Sequence, residues 1–236
     1  MPIEYLEAIQ KPHIYLDYKT SRAGNCYLMG YKIDEEFTQI VTDRRLEGLA
    51  EFHNFEIKTP AKATYDLLSY AKDSNSIIVA YSQAEREYFK LFSTNFDSNK
   101  FTDTPYLDLL KAARKWIEIF KAHEFNSLPP FFLSADEFRA GRMNRALCSV
   151  MRLTSFNASN DFAPGKTSGR FKTVADALVM RNQNYSCLTQ TQKTKSAKVL
   201  KHNRFDVEAL PVLFNEIIAD SAGCFSNAIK HCFGND

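Results

Sequence analysis

The segment KHNRFDVEAL, residues 201–210, lies near the C-terminal end of a chain of 236 residues. Apolar residues recur in and around it at helical spacing, which predicts an amphipathic helix over about residues 193–219. His202 and Asp206 are four residues apart, so the imidazole and the carboxylate share one face of that helix. A metal ion could be held by Asp206. Taken alone, the helix is explained more simply as a surface helix with a solvated basic end.

Five cations crowd the same end of the predicted helix. They could contact a polyanion, and we predict that they bind nucleic acid together with Arg170. These cations are Lys193, Lys195, Lys198, Lys201 and Arg204.

Two earlier segments carry further acids. IYLDYKT, residues 14–20, is a short apolar run that contains Asp17 and Lys19. IIVAYSQAERE, residues 77–87, is a strand-like run that opens into a helix with Glu85 in its first turn. Ser82 and Glu85 also have the spacing of a capping box, which would explain Glu85 without any catalytic role.

Three acids in this order, at the ends of two buried strands and on a late helix, resemble the DEDD exonuclease superfamily of the ribonuclease-H-like fold. The likeness is closest to a bacterial predicted-exonuclease branch, whose third motif reads much like HNRFDVEAL. It covers about residues 12–218. By position, the resemblance implies that Asp17 is the shared metal ligand, Glu85 the second-motif acid with Glu87 as competitor, Asp206 the third-motif acid, and His202 the residue that orients water.

The resemblance implies hydrolysis of phosphodiester bonds from the 3′ end of single-stranded DNA or RNA. Two ions of Mg²⁺ or Mn²⁺, roughly 4 Å apart, would stabilise the entering and leaving oxygens. Such ions prefer hard oxygen ligands, so carboxylates must converge from distant segments. Asp17, Glu85 and Asp206 would be those ligands. The resemblance also makes Asp108 a supporting acid, although Asp108 could equally be an ordinary acid at a helix N-terminus.

Lys19 departs from the family, which has Glu at this position. The exchange changes the charge by two units beside the metals and costs roughly several kcal/mol, even at an effective dielectric of about 20. Four interpretations stay open. Lys19 could replace one metal ion and contact the phosphate, or it could mark a non-cleaving relative that still binds nucleic acid or a docking partner. It could be a substitution introduced to silence activity, or it could point away while Asp108 fills the gap.

The first half of the chain predicts an α/β fold. Residues 13–18, 26–33 and 37–42 read as an antiparallel meander of three strands. A helix over residues 60–72, with Pro60 at its first position, leads to a fourth strand at residues 77–81. Strand, helix and strand in this order imply a parallel crossover. With the resemblance, the expected fold is a ribonuclease-H-like three-layer sandwich around a mixed sheet.

The second half of the chain gives weaker secondary-structure signals. Residues 104–109 form either a fifth strand or the start of a helix that ends near Phe120. Ser127-Leu128-Pro129-Pro130 opens an expected insertion over about residues 127–169, with a helix at 135–151 that carries a row of arginines. Residues 170–178 are predicted to be an amphipathic helix, and the resemblance implies that this helix helps to wall the active-site cleft. Residues 182–194 are predicted to be a polar loop, and residues 223–236 a short last helix.

The composition limits the class of protein and its expected location. A net charge of +2 does not by itself indicate nucleic-acid binding. The five scattered cysteines include no C-x-x-C pair, which argues against a disulfide framework or a structural zinc site and favours the cytoplasm. Acids stand where a signal peptide would carry cations, and no apolar run is long enough for a membrane span. We therefore expect one soluble domain over residues 1–236.

Overall fold

The computed structural model describes residues 10–21, 24–93, 104–128, 146–156 and 167–222. Within these residues the strands form one six-stranded sheet. The strands are β1 His13–Thr20, β2 Cys26–Ile33, β3 Glu36–Val41, β4 Glu56–Ile57, β5 Ile77–Ala80 and β6 Tyr106–Asp108.

The strand order is β4-β3-β2-β1-β5-β6. Neighbours β1, β2 and β3 pair antiparallel, whereas β5 pairs parallel with both β1 and β6. This arrangement confirms the predicted mixed sheet, with an opening meander and the first strand in a central position. The short strand β4 was not predicted, and it pairs parallel with β3.

Helices cover both faces of the sheet. They are α1 Glu47–His53, α2 Pro60–Asp73, α3 Gln83–Ser93, α4 Leu109–Trp116, α5 Ala122–Ser127, α6 Leu147–Val150, α7 Thr167–Val179 and α8 Gln190–Ala222. A π-helical segment, Ile117–Lys121, joins α4 to α5. Of the helices described, none is both long and apolar enough to cross a membrane.

The alternation of β1 divides the core into two sides. Ile14 and Tyr18 point to one face, where they pack with apolar residues of α2 such as Leu68. Tyr15 points to the opposite face and packs in a core built with α4 and α8. Because successive side chains of a strand alternate between faces, one central strand serves both layers. The predicted three-layer α/β sandwich is confirmed.

Local signals fix two helix starts as expected. Thr59 caps α2 by accepting a hydrogen bond from the backbone N–H of Lys62, with Pro60 at the first helical position. The ambiguous stretch near residue 106 contains both predicted alternatives, since β6 ends at Asp108 and α4 begins at the next residue. The carboxylate of Asp108 accepts hydrogen bonds from the backbone N–H groups of Leu110 and Lys111.

The polar loop predicted over residues 182–194 is wrong in its second half, because α8 begins at Gln190. A reciprocal pair of hydrogen bonds starts the helix. Thr189 Oγ1 accepts from the backbone N–H of Gln192, and Gln192 Oε1 accepts from the backbone N–H of Thr189. This is a capping box, a signal that the sequence carries and that the loop prediction overlooked.

The predicted insertion is described only in part. Residues 129–145 and 157–166 lie outside the described residues, as do most of the predicted helix at 135–151 and the predicted last helix at 223–236. The described portion includes α6, whose Leu147 and Val150 are buried in the main core beside α8. The single-domain organisation and the bounds of the insertion stay predictions.

Candidate functional site

The site lies where β1 faces α8. Asp17 and Lys19 are two residues apart on β1, so both side chains point to the same face of the sheet. Asp206 reaches them from α8. Lys19 Nζ lies 2.9 Å from Asp17 Oδ2, and it also donates a hydrogen bond to Asp206 Oδ2. Lys19 is only 9% exposed, and it bridges two largely buried carboxylates, whose side chains are 16% and 14% exposed.

The charges of this triad depend on one another. Burial would lower the pKa of Lys19, but the attraction of Asp17 and Asp206 and the two hydrogen bonds raise it above its ordinary value. Burial raises the pKa of both carboxyls, and Lys19 opposes that rise. Lys19 therefore stays protonated, and its charge compensates the buried acids. The interpretation in which Lys19 points away from the acids is wrong.

Asn203, which the sequence reading overlooked, fixes the orientation of Asp17. Its Nδ2 donates to Asp17 Oδ2 at 2.7 Å and to the backbone carbonyl of Asp17 at 3.2 Å. Gln39 Nε2 donates to Asn203 Oδ1 at 2.9 Å, which orients the amide. Gly30 pairs with Asp17 in the β1–β2 ladder, and a Cβ there would overlap Asn203 Oδ1. A glycine inside a strand is the sequence signal for such a close approach.

His202 lies next to the triad. Its Nε2 is 3.4 Å from Asp206 Oδ2, and its Nδ1 is 2.9 Å from the hydroxyl oxygen of Thr167 at the start of α7. Burial, reinforced by the positive charge of Lys19, lowers the pKa of His202 to about 3. The imidazole is therefore neutral near pH 7. It can donate one hydrogen bond and accept another, but it adds no positive charge.

Glu85 approaches from the first turn of α3. The hydroxyl of Ser82 donates to Glu85 Oε2 at 2.8 Å, so these residues meet through their side chains. Burial, with a further contribution from Asp17, raises the pKa of Glu85 to about 7. Its competitor Glu87 is mostly exposed and pairs with Lys90 at 2.9 Å. The structure therefore places Glu85 near Asp17 and turns Glu87 to the surface.

A cavity of about 230 Å³ opens beside these residues. One side is polar and brings together four of the predicted site residues with Ser82, while the other walls are mostly apolar. The lining residues are Leu16, Asp17, Tyr81, Ser82, Glu85, Ala146, Leu147, Cys148, His202, Asp206 and Leu210. Asp108 is not among them, since its carboxylate caps α4.

The arrangement does not fit the two-metal centre that the resemblance implies. Among the described residues, no group of three His, Cys, Asp or Glu side chains is placed to hold a metal ion. Lys19 Nζ contacts Oδ2 of both Asp17 and Asp206, so its positive charge lies between the two carboxylates that a shared metal ion would need. A divalent ion between these oxygens would have to displace a buried ammonium or lie next to it.

The predicted phosphate-binding cations occupy different sides of α8. Lys195 and Lys198 are seven and four residues before His202, so they share its face at about 100° per residue. Lys193 lies about half a turn away from that face, and its Nζ donates to the backbone carbonyl of Ser186 at 2.9 Å.

The other three predicted cations also differ in their position relative to His202. Arg204 pairs with Glu208 at 2.8 Å and lies over the ring of Phe37, away from His202. Lys201 is exposed at the side of the helix. Arg170, on α7, is close enough to His202 to help lower its pKa, after the larger effects of burial and Lys19. Of the six cations, Lys195 and Lys198 therefore lie on the His202 face of α8, and Arg170 lies near His202 on α7.

Comparison with known proteins adds one remote likeness. No protein-family model matches the chain, and no curated protein matches it. A crystal structure of the Nibbler EXO domain from Aedes aegypti is similar at a TM-score of 0.46 and 12% sequence identity. The likeness covers 97% of this chain and 88% of that domain. Neither the residues of the site nor an activity follows from a likeness this remote.

Proposed function

We propose that this protein is a non-cleaving module that binds single-stranded nucleic acid on an exonuclease-like fold. The observation that carries the proposal is the bridge from Lys19 to Asp17 and Asp206. Two-metal cleavage needs divalent cations at these carboxylates, and here the ammonium already places a positive charge between them. An internal cation then keeps the acids together without supporting metal-dependent hydrolysis.

Electrostatics favours keeping the lysine in place. A buried carboxylate without a partner is strongly destabilising, so the fold needs a cation between Asp17 and Asp206. Lys19 meets this need from the same strand as Asp17, two residues further along and on the same face. Since Asn203 also donates to Asp17, the arrangement is supported from both β1 and α8.

Binding of the strand is assigned to the cations on the His202 face. Lys195 and Lys198 extend along α8 away from the cavity, and Arg170 adds a guanidinium from α7. The Nη1 of Arg170 is buried, and no described residue accepts a hydrogen bond from it. Cations in a row of this kind suit phosphate groups, whose contacts position a strand without reading its bases.

Fluorescence polarisation with a labelled single-stranded oligonucleotide tests the proposal. We expect salt-sensitive binding that is unchanged by EDTA, and no shortening of the oligonucleotide in Mg²⁺ or Mn²⁺. Lys195→Ala and Lys198→Ala should each reduce the slope of log affinity against log salt by about 0.7–1. Lys193→Ala is the matched control, because that side chain faces away, and it should leave the slope unchanged. Absence of binding at low salt would contradict the proposal.

A second candidate is a metal-dependent 3′–5′ exonuclease acting on single-stranded DNA or RNA. It is favoured by the position of Asp17, Glu85, His202 and Asp206 around one cavity. In that case Mn²⁺ or Mg²⁺ would support trimming of the oligonucleotide, and Asp206→Asn would abolish it. Trimming that survives Asp206→Asn would indicate a contaminating nuclease.

Lys19→Glu separates the two candidates further. If the lysine alone keeps metal ions out, this variant should take up Mn²⁺ in calorimetry while the wild-type protein does not. Metal uptake by the wild-type protein would favour the exonuclease.

A further inference from the structure

The cavity differs from a phosphate site in its charge. Lys19 brings one positive charge to two carboxylates, so the triad is negative or, with one carboxyl protonated, neutral. His202 adds no positive charge, since it is neutral near pH 7. A phosphate placed here would face carboxylates with no excess of cations, which is unfavourable at short range. The group that enters this cavity must therefore be uncharged or positive.

The polar side of the cavity offers acceptors. The contacts that Lys19, Asn203 and His202 make with the carboxylates of Asp17 and Asp206 go to Oδ2. These contacts do not use Oδ1, which is the acceptor that each carboxylate can offer to a ligand. Both residues line the cavity, so a ligand that donates hydrogen bonds matches them.

The apolar walls of the cavity determine which kind of group can fill it. They include Tyr81, Leu147 and Leu210, whose apolar surface suits a flat, weakly hydrated group better than a small hydrated cation. A nucleobase held in a protein pocket is recognised in this way, by apolar or aromatic side chains against its faces and by hydrogen bonds to its edge. A volume of about 230 Å³ suits one small group, since it is less than that of a drug-sized pocket.

We propose that the cavity binds a nucleobase that carries an exocyclic amino group, with the amino group donating to Asp17 or Asp206. This assignment rests on the proposed function, because the base belongs to a nucleotide at the end of the bound strand. Thymine and uracil have no exocyclic amino group to donate. The phosphates of the strand then follow Lys195, Lys198 and Arg170 outside the cavity.

Oligonucleotides that differ only at one end test this. Their affinities are measured by fluorescence polarisation in EDTA, with cytosine, adenine, thymine or an abasic residue at the 3′ end and, in a second set, at the 5′ end. We expect cytosine or adenine at one of the two ends to bind about tenfold more tightly than the abasic residue, with thymine close to abasic. Equal affinities throughout both sets would overturn the inference but not the proposed function, because the strand still binds.

A variant that fills the cavity sharpens the test. Ala146 lines the cavity, and Ala146→Phe should remove the preference for cytosine and adenine while preserving binding of the abasic strand. The exposed Ala122, on α5, is not among the lining residues, so Ala122→Phe is the matched control and should keep the preference. A preference that survives Ala146→Phe would place base recognition elsewhere and overturn the assignment.

Free nucleosides separate this inference from the proposed function. Cytidine, but not thymidine, should shift protein NMR signals at millimolar concentration, and Ala146→Phe should abolish the shift. If cytidine binds while no oligonucleotide does, the cavity assignment stands and strand binding fails. If neither cytidine nor any oligonucleotide binds, both proposals are overturned.

Discussion

The two faces of β1 share one backbone but are stabilised by different interactions. On one face, Ile14 and Tyr18 are buried against α2, and the hydroxyl of Tyr18 is within 2.7 Å of Thr64 Oγ1. On the other face, Asp17 and Lys19 are buried against α8 with Asp206. The first face is stabilised by burial of apolar area, which is non-directional. The second depends on one cation placed between two anions, so its stability depends on the identity and charge of single residues.

Lys19→Met should show this difference most strongly. Removing the ammonium leaves Asp17 and Asp206 buried without a compensating charge, and we expect a loss of about 3–5 kcal/mol in the free energy of unfolding near neutral pH. The loss should shrink at acidic pH, where the carboxyls become protonated. Urea denaturation at both pH values measures it.

Lys32→Met is the control for that change. Lys32 pairs at 2.9 Å with Glu35, whose side chain is 97% exposed, so the pair contributes at most about 1 kcal/mol. Similar losses for both lysine variants would show that the buried bridge has no special role.

On the apolar face, Leu68→Ala should cost about 3 kcal/mol, because it opens a cavity in a fully buried position beneath the sheet. The same loss is expected at acidic and neutral pH, since no charge is involved. A loss that depends strongly on pH would break the comparison between the two faces.

Glu85→Gln tests the charged face through its pH dependence. The pKa of Glu85 is raised from 4.5 to about 7, so between these values the folded protein binds more protons than the unfolded chain. The wild-type protein should therefore lose stability as the pH rises through this window, by an amount on the order of 3 kcal/mol from this group. Glu85→Gln should flatten the curve.

The matched control is Glu87→Gln, on the same helix but largely exposed. Its curve of unfolding free energy against pH should follow that of the wild-type protein. A flattened curve for this control, or an unchanged curve for Glu85→Gln, would contradict the assignment of the slope to the buried carboxyl.

Gly30→Ala should have the smallest effect of these changes on the charged face, about 1–2 kcal/mol, because the new methyl group overlaps Asn203 and must displace it. In the background of Asn203→Ala the same substitution should cost less, which a double-mutant cycle would measure. Gly169→Ala is the control. A Cβ at Gly169, on α7, meets nothing within 4 Å, so this variant should be neutral or stabilising.

Much of the secondary structure could be predicted locally. Three strands, the helix after Pro60 and the strand before α3 follow from alternation, apolar runs and caps, which are properties of neighbouring residues. The late start predicted for α8 was an error of interpretation, since the capping pair of Thr189 and Gln192 was present in the sequence. The strand β4 gave no such signal, because two residues are too few to show a period.

The site was less accessible to sequence reasoning. Asp17, Lys19, His202 and Asp206 could be selected as candidates from their spacing and from the resemblance. Their arrangement in space could not be predicted, because the sequence does not show whether Lys19 points towards the acids. Asn203, Gln39 and Thr167 were missed because each acts through a contact with a residue far along the chain.

The sequence by itself determined that this chain forms an α/β fold, with a charged strand early and a charged helix late, because strand and helix periods depend on adjacent residues. Only the tertiary structure decided that Lys19 lies between Asp17 and Asp206. Residues 19 and 206 meet because α8 packs across β1, and the cost of burying uncompensated carboxylates favours the arrangement in which the ammonium joins them.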